Sequence, residues 1–378
     1  MKVYENYAPI PIVSDTHFGN KSFSKIIFRN MIQFFEDQFF PWCLKNNVKN
    51  VFHLGDLVHN RNMIDLWINQ QIKTRFFQWF EDNDINLHIL VGNHDLYYKT
   101  SMEFNYLVEN TKEFKNIIVY DKQEKIKIGK YTFLMIPWVI DPSRFEFQHE
   151  ADICCGHFET IGFKMTPQQY SDGGFNVTDF DNFRHVFSGH FHVKSHKKNV
   201  YYVGNQYPIT WNDYGETKGF YILEDDFKVK YQENKVNGKF VKLFYKEIDG
   251  IQIVEAGGLK KRNLEEVTLE EAIDLAAKNY TRLYVRNVES QALFDSFYQS
   301  LVQVSRDNYK IEIVDTNEVI ESFNVEDIES EIADEADTLT VVSSYLEGMT
   351  FEEDIDKKFL INMFKSLYHE SSEKVIDD

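Results

Sequence analysis

Apolar positions in the first 135 residues follow two periods. Short, mostly apolar runs at Ile10 to Ser14, Asn50 to Leu54 and Asn86 to Val91 predict buried strands. Between them, Ser24 to Asn46 repeats apolar residues at Ile27, Met31, Phe34 and Phe35. Ile64 to Phe80 does so at Ile64, Trp67, Ile68, Ile72, Phe76 and Phe80, and both patterns predict helices lying on a sheet. Pro41 predicts a kink or an end near Phe40, because its ring removes a donor and clashes one turn back. From Ile117 to Val203 the strands become closely spaced, around Ile117 to Tyr120, Tyr131 to Ile136, Asp152 to Gly156, Val186 to Gly189 and Val200 to Val203. They predict a second sheet packed on the first, with Lys218 to Glu224 and Lys239 to Lys246 closing the layered domain.

Beyond this point Thr268 to Glu271 forms a Thr-x-x-Glu capping box that opens a helix, followed by a strand at Arg282 to Val288, a helix at Gln291 to Gln303 and a strand at Tyr309 to Val314. A second such box at Thr350 to Glu353 opens a helix with an apolar stripe of Ile355, Phe359, Met363, Phe364 and Leu367, suited to docking on its own domain or on a partner. The expected fold class is α/β, a two-sheet sandwich flanked by helices. The expected division is a layered domain over 1–245, a small α/β unit over 246–320, an acidic linker over 321–337 and a helical segment over 338–378.

Composition narrows the class. Aromatic residues make up 16% of the 378 positions, which promises a bulky interior and excludes wholesale disorder. No run of about 18 apolar residues or secretory leader is present, so a cytoplasmic protein without a membrane span is expected. Cys43, Cys154 and Cys155 lack metal-site spacing and read as small buried hydrophobes. The net charge of -19 would argue against a polyanionic partner, but residues 321–378 hold 17 acids against 4 bases. The first 320 residues carry 43 against 37, so a basic face remains open to them, with Lys21, Lys25, Arg29, Lys194, Lys197 and Lys198 as candidates.

Five short elements each place a metal-capable side chain just past an apolar strand, where side chains can converge on one cleft. They are Asp15-x-His17, Gly55-Asp56, Gly92-Asn93-His94-Asp95, Gly156-His157 and Gly189-His190-x-His192. Imidazole, carboxylate and amide oxygen together are too hard for a thiolate zinc site and too nitrogen-rich for calcium. Two borderline divalent ions bridged by Asp56 fit the set and point to phosphoester hydrolysis.

The ordered motifs resemble the calcineurin-like metallophosphoesterase superfamily over about residues 1 to 245. His53 to His59, the Ile136-Pro137-Trp138 strand end, Tyr202 to Asn205 and Lys218 to Tyr221 are similar to the SbcD-type DNA repair exonucleases, including their shorter phage recombination nuclease subunits. That resemblance implies the metallophosphoesterase fold with a small capping domain and a C-terminal segment that grips an SMC-like (SbcC-type) ATPase. It implies one ion held by Asp15, His17, Asp56 and His192 and another by Asp56, Asn93, His157 and His190, manganese foremost with magnesium as the alternative. It gives His94 the role of contacting the scissile phosphate, His59 that of helping to place it, and Asp95 that of orienting His94. Homodimerisation through the aromatic-rich helices that begin near Ser24 and Ile64 is also implied.

The expected function is a manganese-dependent DNA nuclease, exonuclease and endonuclease, acting at DNA ends in recombination and repair. A phosphatase or cyclic nucleotide phosphodiesterase is the alternative. Against a protein phosphatase, Gly-Asp-Leu-Val-His-Asn-Arg lacks an Asp-Arg-Gly continuation, and against a non-catalytic scaffold no expected ligand is missing. The sequence departs from larger family members at Asn205-Gln206-Tyr207-Pro208, where they carry a Ser-containing run. His53, His88, His149, His185, His196 and His369 match no motif or lie inside strand patterns and read as structural.

Overall fold

The computed structural model describes residues 1–4, 9–20, 25–61, 63–98, 100–148, 150–165, 170–258 and 263–305, and the backbone of 311–315. Residues 1–315 form one compact unit. The linker 321–337, the helical segment 338–378, Lys21, His149 and His369 lie outside the described residues.

Three sheets organise this unit. The six-stranded sheet runs Val229–Glu233, Gly219–Leu223, Ile10–Val13, Asn50–His53, Asn86–Leu90, Ile117–Tyr120, and its last four strands are parallel. The seven-stranded sheet runs Lys2–Tyr4, Glu124–Ile128, Tyr131–Ile136, Ile153–His157, His185–Gly189, Val200–Tyr202, Ser195–Lys197. Strand alternation sorts the apolar side chains into layers. Ile10, Ile12, Phe52 and Leu90 meet Ile126, Phe133, Met135, Ile153 and Phe187 between the two sheets. Val13, Val51, Leu87 and Ile89 point outward to the helices. The chain is thus an α/β sandwich of two sheets flanked by helices, the architecture of the metallophosphoesterase fold.

Two expectations about strands are corrected. Ile117–Tyr120 belongs to the first sheet, pairing with Asn86–Leu90, while Gly219–Leu223 closes that sheet beside Ile10–Val13 as expected. Phe240–Ile248 closes neither layer, but pairs with Ile251–Gly257 and Tyr280–Asn287 in a third, five-stranded sheet. A strand over 239–246 was legible in the sequence, but its partner was not. Helices Leu269–Lys278 and Gln291–Ser305 cover one face of this sheet, burying Ala272, Ala276, Phe297 and Leu301 against Val241, Leu243 and Tyr245.

The first helix also departs from expectation, because it passes through Pro41. Lys25–Phe34 leads into a π-helical turn at Phe35–Phe39, and the helix resumes over Phe40–Lys45. The Phe40 amide reaches back to the Phe35 carbonyl, and this wider turn relieves the clash a proline ring makes four residues back. Phe28, Phe34, Phe35, Phe39 and Phe40 of this helix go inward. Phe35 meets Phe18, Phe34, Phe39, Phe40, Phe76 and Tyr207 in one buried cluster.

The capping box at Thr268 is present in full. Thr268 Oγ1 accepts from the Glu271 amide at 3.2 Å, and Glu271 Oε2 accepts from the Thr268 amide at 2.8 Å. Thr268→Ala is expected to cost about 1 kcal/mol in a denaturant titration, with no change in metal binding.

Candidate metal centre

Five parallel strands end at one rim, and the residues just beyond them make the site. Asp15 and His17 follow Ile10–Val13, Asp56 follows Asn50–His53, and Asn93 and His94 follow Asn86–Leu90. His157 ends Ile153–His157, and His190 and His192 follow His185–Gly189. The chain must turn sharply at this rim. Asp15, His17, Asp56 and His190 have φ of 53°, 46°, 55° and 86°, in the left-handed region that costs a non-glycine residue about 1–3 kcal/mol.

A hydrogen-bond lattice holds these turns. Asp15 and His17 amides donate to the Gly55 and Asp56 carbonyls at 3.0 and 3.1 Å, and the His190 amide donates to Asp15 Oδ1 at 3.0 Å. Gly92 is required by close approach, since a Cβ there would lie 2.3 Å from both the amide nitrogen and Oδ1 of Asp56.

All seven expected ligands are brought together. Ligand atoms of Asp15, His17 and His192 lie within 4.8 Å of one another, as do those of Asp56, His157 and His190. Asn93 Oδ1 lies 3.0 Å from both His157 Nε2 and His190 Nδ1. Asp56 stands between the groups, with Oδ2 3.7 Å from His17 Nε2 and 3.4 Å from His157 Nε2.

The imidazoles are oriented from behind. His157 Nδ1 donates to the Leu54 carbonyl at 2.6 Å, which turns its Nε2 lone pair toward Asn93 and Asp56. Nε2 of His17 and Nε2 of His192 face each other at 2.8 Å. Ring nitrogens thus converge on one another and on carboxylate and amide oxygens, an arrangement that a cation satisfies, so the donor set fits divalent metal.

Titration directions show the same field. Burial, then the His192 ring, lowers His17, and burial lowers His192. Burial also opposes a charge on His157, but the Asp56 charge and hydrogen bond and the Asp15 charge outweigh it and raise it to about 9. Burial likewise opposes the Asp56 carboxylate, yet His157, His94 and His17 hold it well below the usual range.

The residues assigned to phosphate chemistry divide. His94 and His59 flank the cluster with rings stacked 5.5 Å apart, and His94 Nδ1 donates to the His59 carbonyl at 2.6 Å. Asp95 does not orient His94. Its carboxylate accepts four backbone amides, from Asp56, Leu57 and Gly92 at 2.9 Å each and from Val58 at 3.2 Å, and so it pins the Asp56 loop. Burial and the Asp56 charge raise it to about 7 against those amides.

The run 205–208 buttresses the site from inside. Gln206 Nε2 donates to the Ser14 carbonyl and Tyr207 Oη to the Thr16 carbonyl, each at 2.7 Å. Asn205 accepts from the buried Lys218 ammonium, which also donates to the His192 carbonyl at 3.0 Å and pairs with Asp213.

Two residues near the cluster went unassigned in the sequence. Glu159 Oε1 lies 3.1 Å from His190 Nε2, and half-buried Arg61 stands in the field of Asp56. The spacing Gly-His-x-Glu at 156–159 could have pointed to Glu159; Arg61 follows the Asp56 motif in a loop of no regular pattern.

The remaining described histidines are structural: His53 meets Thr16, His88 meets Tyr120 and Asn50, His185 meets the Phe227 carbonyl, and His196 stacks on Tyr201. Lys194 lies over Tyr231, Lys197 donates to the Gly162 carbonyl, and Lys198 pairs with Asp181, so local partners engage these candidate basic residues. The three cysteines are free and buried. Among the described residues no helix is long and apolar enough to cross a membrane.

Comparison with known proteins agrees with this geometry. Residues 8–194 match the family model for calcineurin-like phosphoesterases, and this part of the chain is a calcineurin-like phosphoesterase domain. The chain is similar to exonuclease subunit 1 of Enterobacteria phage T4, 30% identical over 195 residues that cover 50% of this chain and 57% of that protein. It is also similar to putative phosphoesterase 244L of Invertebrate iridescent virus 6, 30% identical over 148 residues, 35% of this chain and 48% of that protein. The chain therefore spans about half the length of these relatives.

Proposed function

We propose that this protein is a manganese-dependent DNA nuclease, exonuclease and endonuclease, that hydrolyses phosphodiester bonds at DNA ends in recombination and double-strand-break repair. The observation that carries the reading is the convergence of Asp15, His17, Asp56, Asn93, His157, His190 and His192 on one rim. Similarity to an exonuclease subunit supports DNA over a small ester.

In this reading Asp15, His17, Asp56 and His192 hold one divalent ion and Asp56, Asn93, His157 and His190 the other. When bound, the pair supplies Lewis acidity and a lowered pKa for a nearby water. His94, fixed through Nδ1 on the His59 carbonyl, is left with Nε2 to meet a phosphate oxygen and, as the doubly protonated imidazolium, to hand its Nε2 proton to the leaving oxygen. His59 packs behind it and helps to place the phosphate. Arg61 adds positive charge beside Asp56 where the phosphate would lie. Asp95 acts at one remove, by holding the Asp56 loop in its left-handed turn.

An SMC-like ATPase held through residues 338–378 and pairing of two copies belong to the same proposal. The similarity to a protein named as a subunit supports the first, and exposed Met63 and Leu66 beside the site loop support the second. Sedimentation at micromolar concentration is expected to show a dimer; monomer alone would remove the pairing.

The test of substrate compares linear duplex DNA with a p-nitrophenyl phosphodiester under manganese. Degradation of the duplex is expected. Turnover of the small ester alone would replace the nuclease with a small-molecule phosphodiesterase.

A further inference from the structure

His190 stands between two oxygens on opposite sides of its ring. Nδ1 lies 3.0 Å from Asn93 Oδ1 inside the cluster, and Nε2 lies 3.1 Å from Glu159 Oε1 outside it. A neutral imidazole carries one proton and a carboxylate only accepts, so the charged contact draws that proton to Nε2 and turns the Nδ1 lone pair inward. His157 is set the same way, with Nδ1 committed to the Leu54 carbonyl.

We propose that Glu159 is a positioning residue that fixes the tautomer and tilt of His190, so that Nδ1 offers its lone pair to the divalent ion shared with Asp56, Asn93 and His157. This rests on the metal-dependent reading given above.

The surroundings hold Glu159 to that task. It lies two residues past His157, at the start of an excursion that returns to it: the Phe175 amide donates to the Glu159 carbonyl at 3.0 Å. Gly174, at φ 89°, brings the returning chain so close that a Cβ there would lie 2.4 Å from the Glu159 carbonyl oxygen. On the other side the Trp138 ring packs against His190, with centroids 4.9 Å apart and planes at 40°. His190 itself has φ 86°, so its backbone lies in a sparsely populated region, and the ring is fixed by what touches it. Among the described residues no lysine or arginine lies within ion-pair distance of Glu159.

The test uses the full chain, stripped of metal and titrated with manganese by calorimetry, with bound ion followed by electron paramagnetic resonance. Wild-type protein is expected to take up two ions. Glu159→Ala should keep one at wild-type affinity and weaken the other about 10- to 100-fold, with an unchanged melting temperature. Glu159→Gln retains an acceptor without the charge and should recover most of that loss. Wild-type affinity for both ions in Glu159→Ala would overturn the proposal, as would equal losses in Glu159→Gln and Glu159→Ala. Failure of wild-type protein to bind manganese is a separate result, which would remove the metal-dependent reading and this role with it.

Discussion

Asp56→Asn is expected to lower phosphodiester hydrolysis at least about a thousandfold, equivalent to about 4 kcal/mol of transition-state stabilisation. Asp56 touches every part of the site. Oδ1 accepts from the His94 amide at 2.7 Å, while Oδ2 faces His157 at 3.4 Å and His17 at 3.7 Å. An amide of the same shape can still accept from the His94 amide, so the turn at residue 56 persists. What it lacks is the negative charge between the two groups of donors, and its NH2 faces imidazole nitrogens that should face a cation. Initial rates with saturating manganese, set beside thermal melting of both proteins, check this. A variant that melts like the wild type and retains activity within tenfold would contradict a bridging role for Asp56.

Lys218→Met should be the most destabilising of the substitutions considered, by about 3–5 kcal/mol in a denaturant titration. The Lys218 ammonium is buried and bonded to the His192 carbonyl, to Asn205 and to Asp213. Asp213 is buried too and accepts from the amides of Ile209 and Thr210 at 2.7 and 3.0 Å. Methionine fills the space but leaves a carboxylate without its counter-charge in a dry interior. Removing both partners, as Lys218→Met with Asp213→Leu, should recover much of the loss.

The pair also sets an acid limit. Burial opposes the Asp213 carboxylate, but Lys218, then His192, pulls it below its ordinary value. A depressed carboxyl contributes stability that is complete above its unfolded pKa of about 3.9 and fades as pH falls through the folded value. The gap between wild type and Lys218→Met should therefore be full at neutral pH and narrow below about pH 4. A gap independent of pH down to acid unfolding would show that lost packing, and not charge, is responsible.

The candidate metal ligands were legible because each depends on a local signal. A short apolar run followed by Asp-x-His, Gly-Asp or Gly-His marks a strand end, and parallel strands bring such ends to one rim. The first two strands and their helices were legible for the same reason. What the sequence could not show is which side chain reaches across. Asp95 lies beside His94 in the chain, yet its carboxylate turns to residues 56–58 and to Gly92. Lys218 joins residues 192, 205 and 213, and no local pattern links those positions. Phe240–Ile248 reads as a strand, but only its partners reveal that it opens a third sheet. Pro41 marked a real irregularity, and the helix met it by widening a turn instead of ending.

The most direct test of the central claim is release of label from an end-labelled linear DNA duplex by chelated protein to which manganese is restored, with wild type and Asp56→Asn side by side. Loss of label that requires manganese and disappears in the variant is the predicted result. An intact duplex with both proteins, under conditions where the wild type hydrolyses a p-nitrophenyl phosphodiester, would contradict DNA as the substrate; equal degradation by both would place the chemistry outside this metal centre.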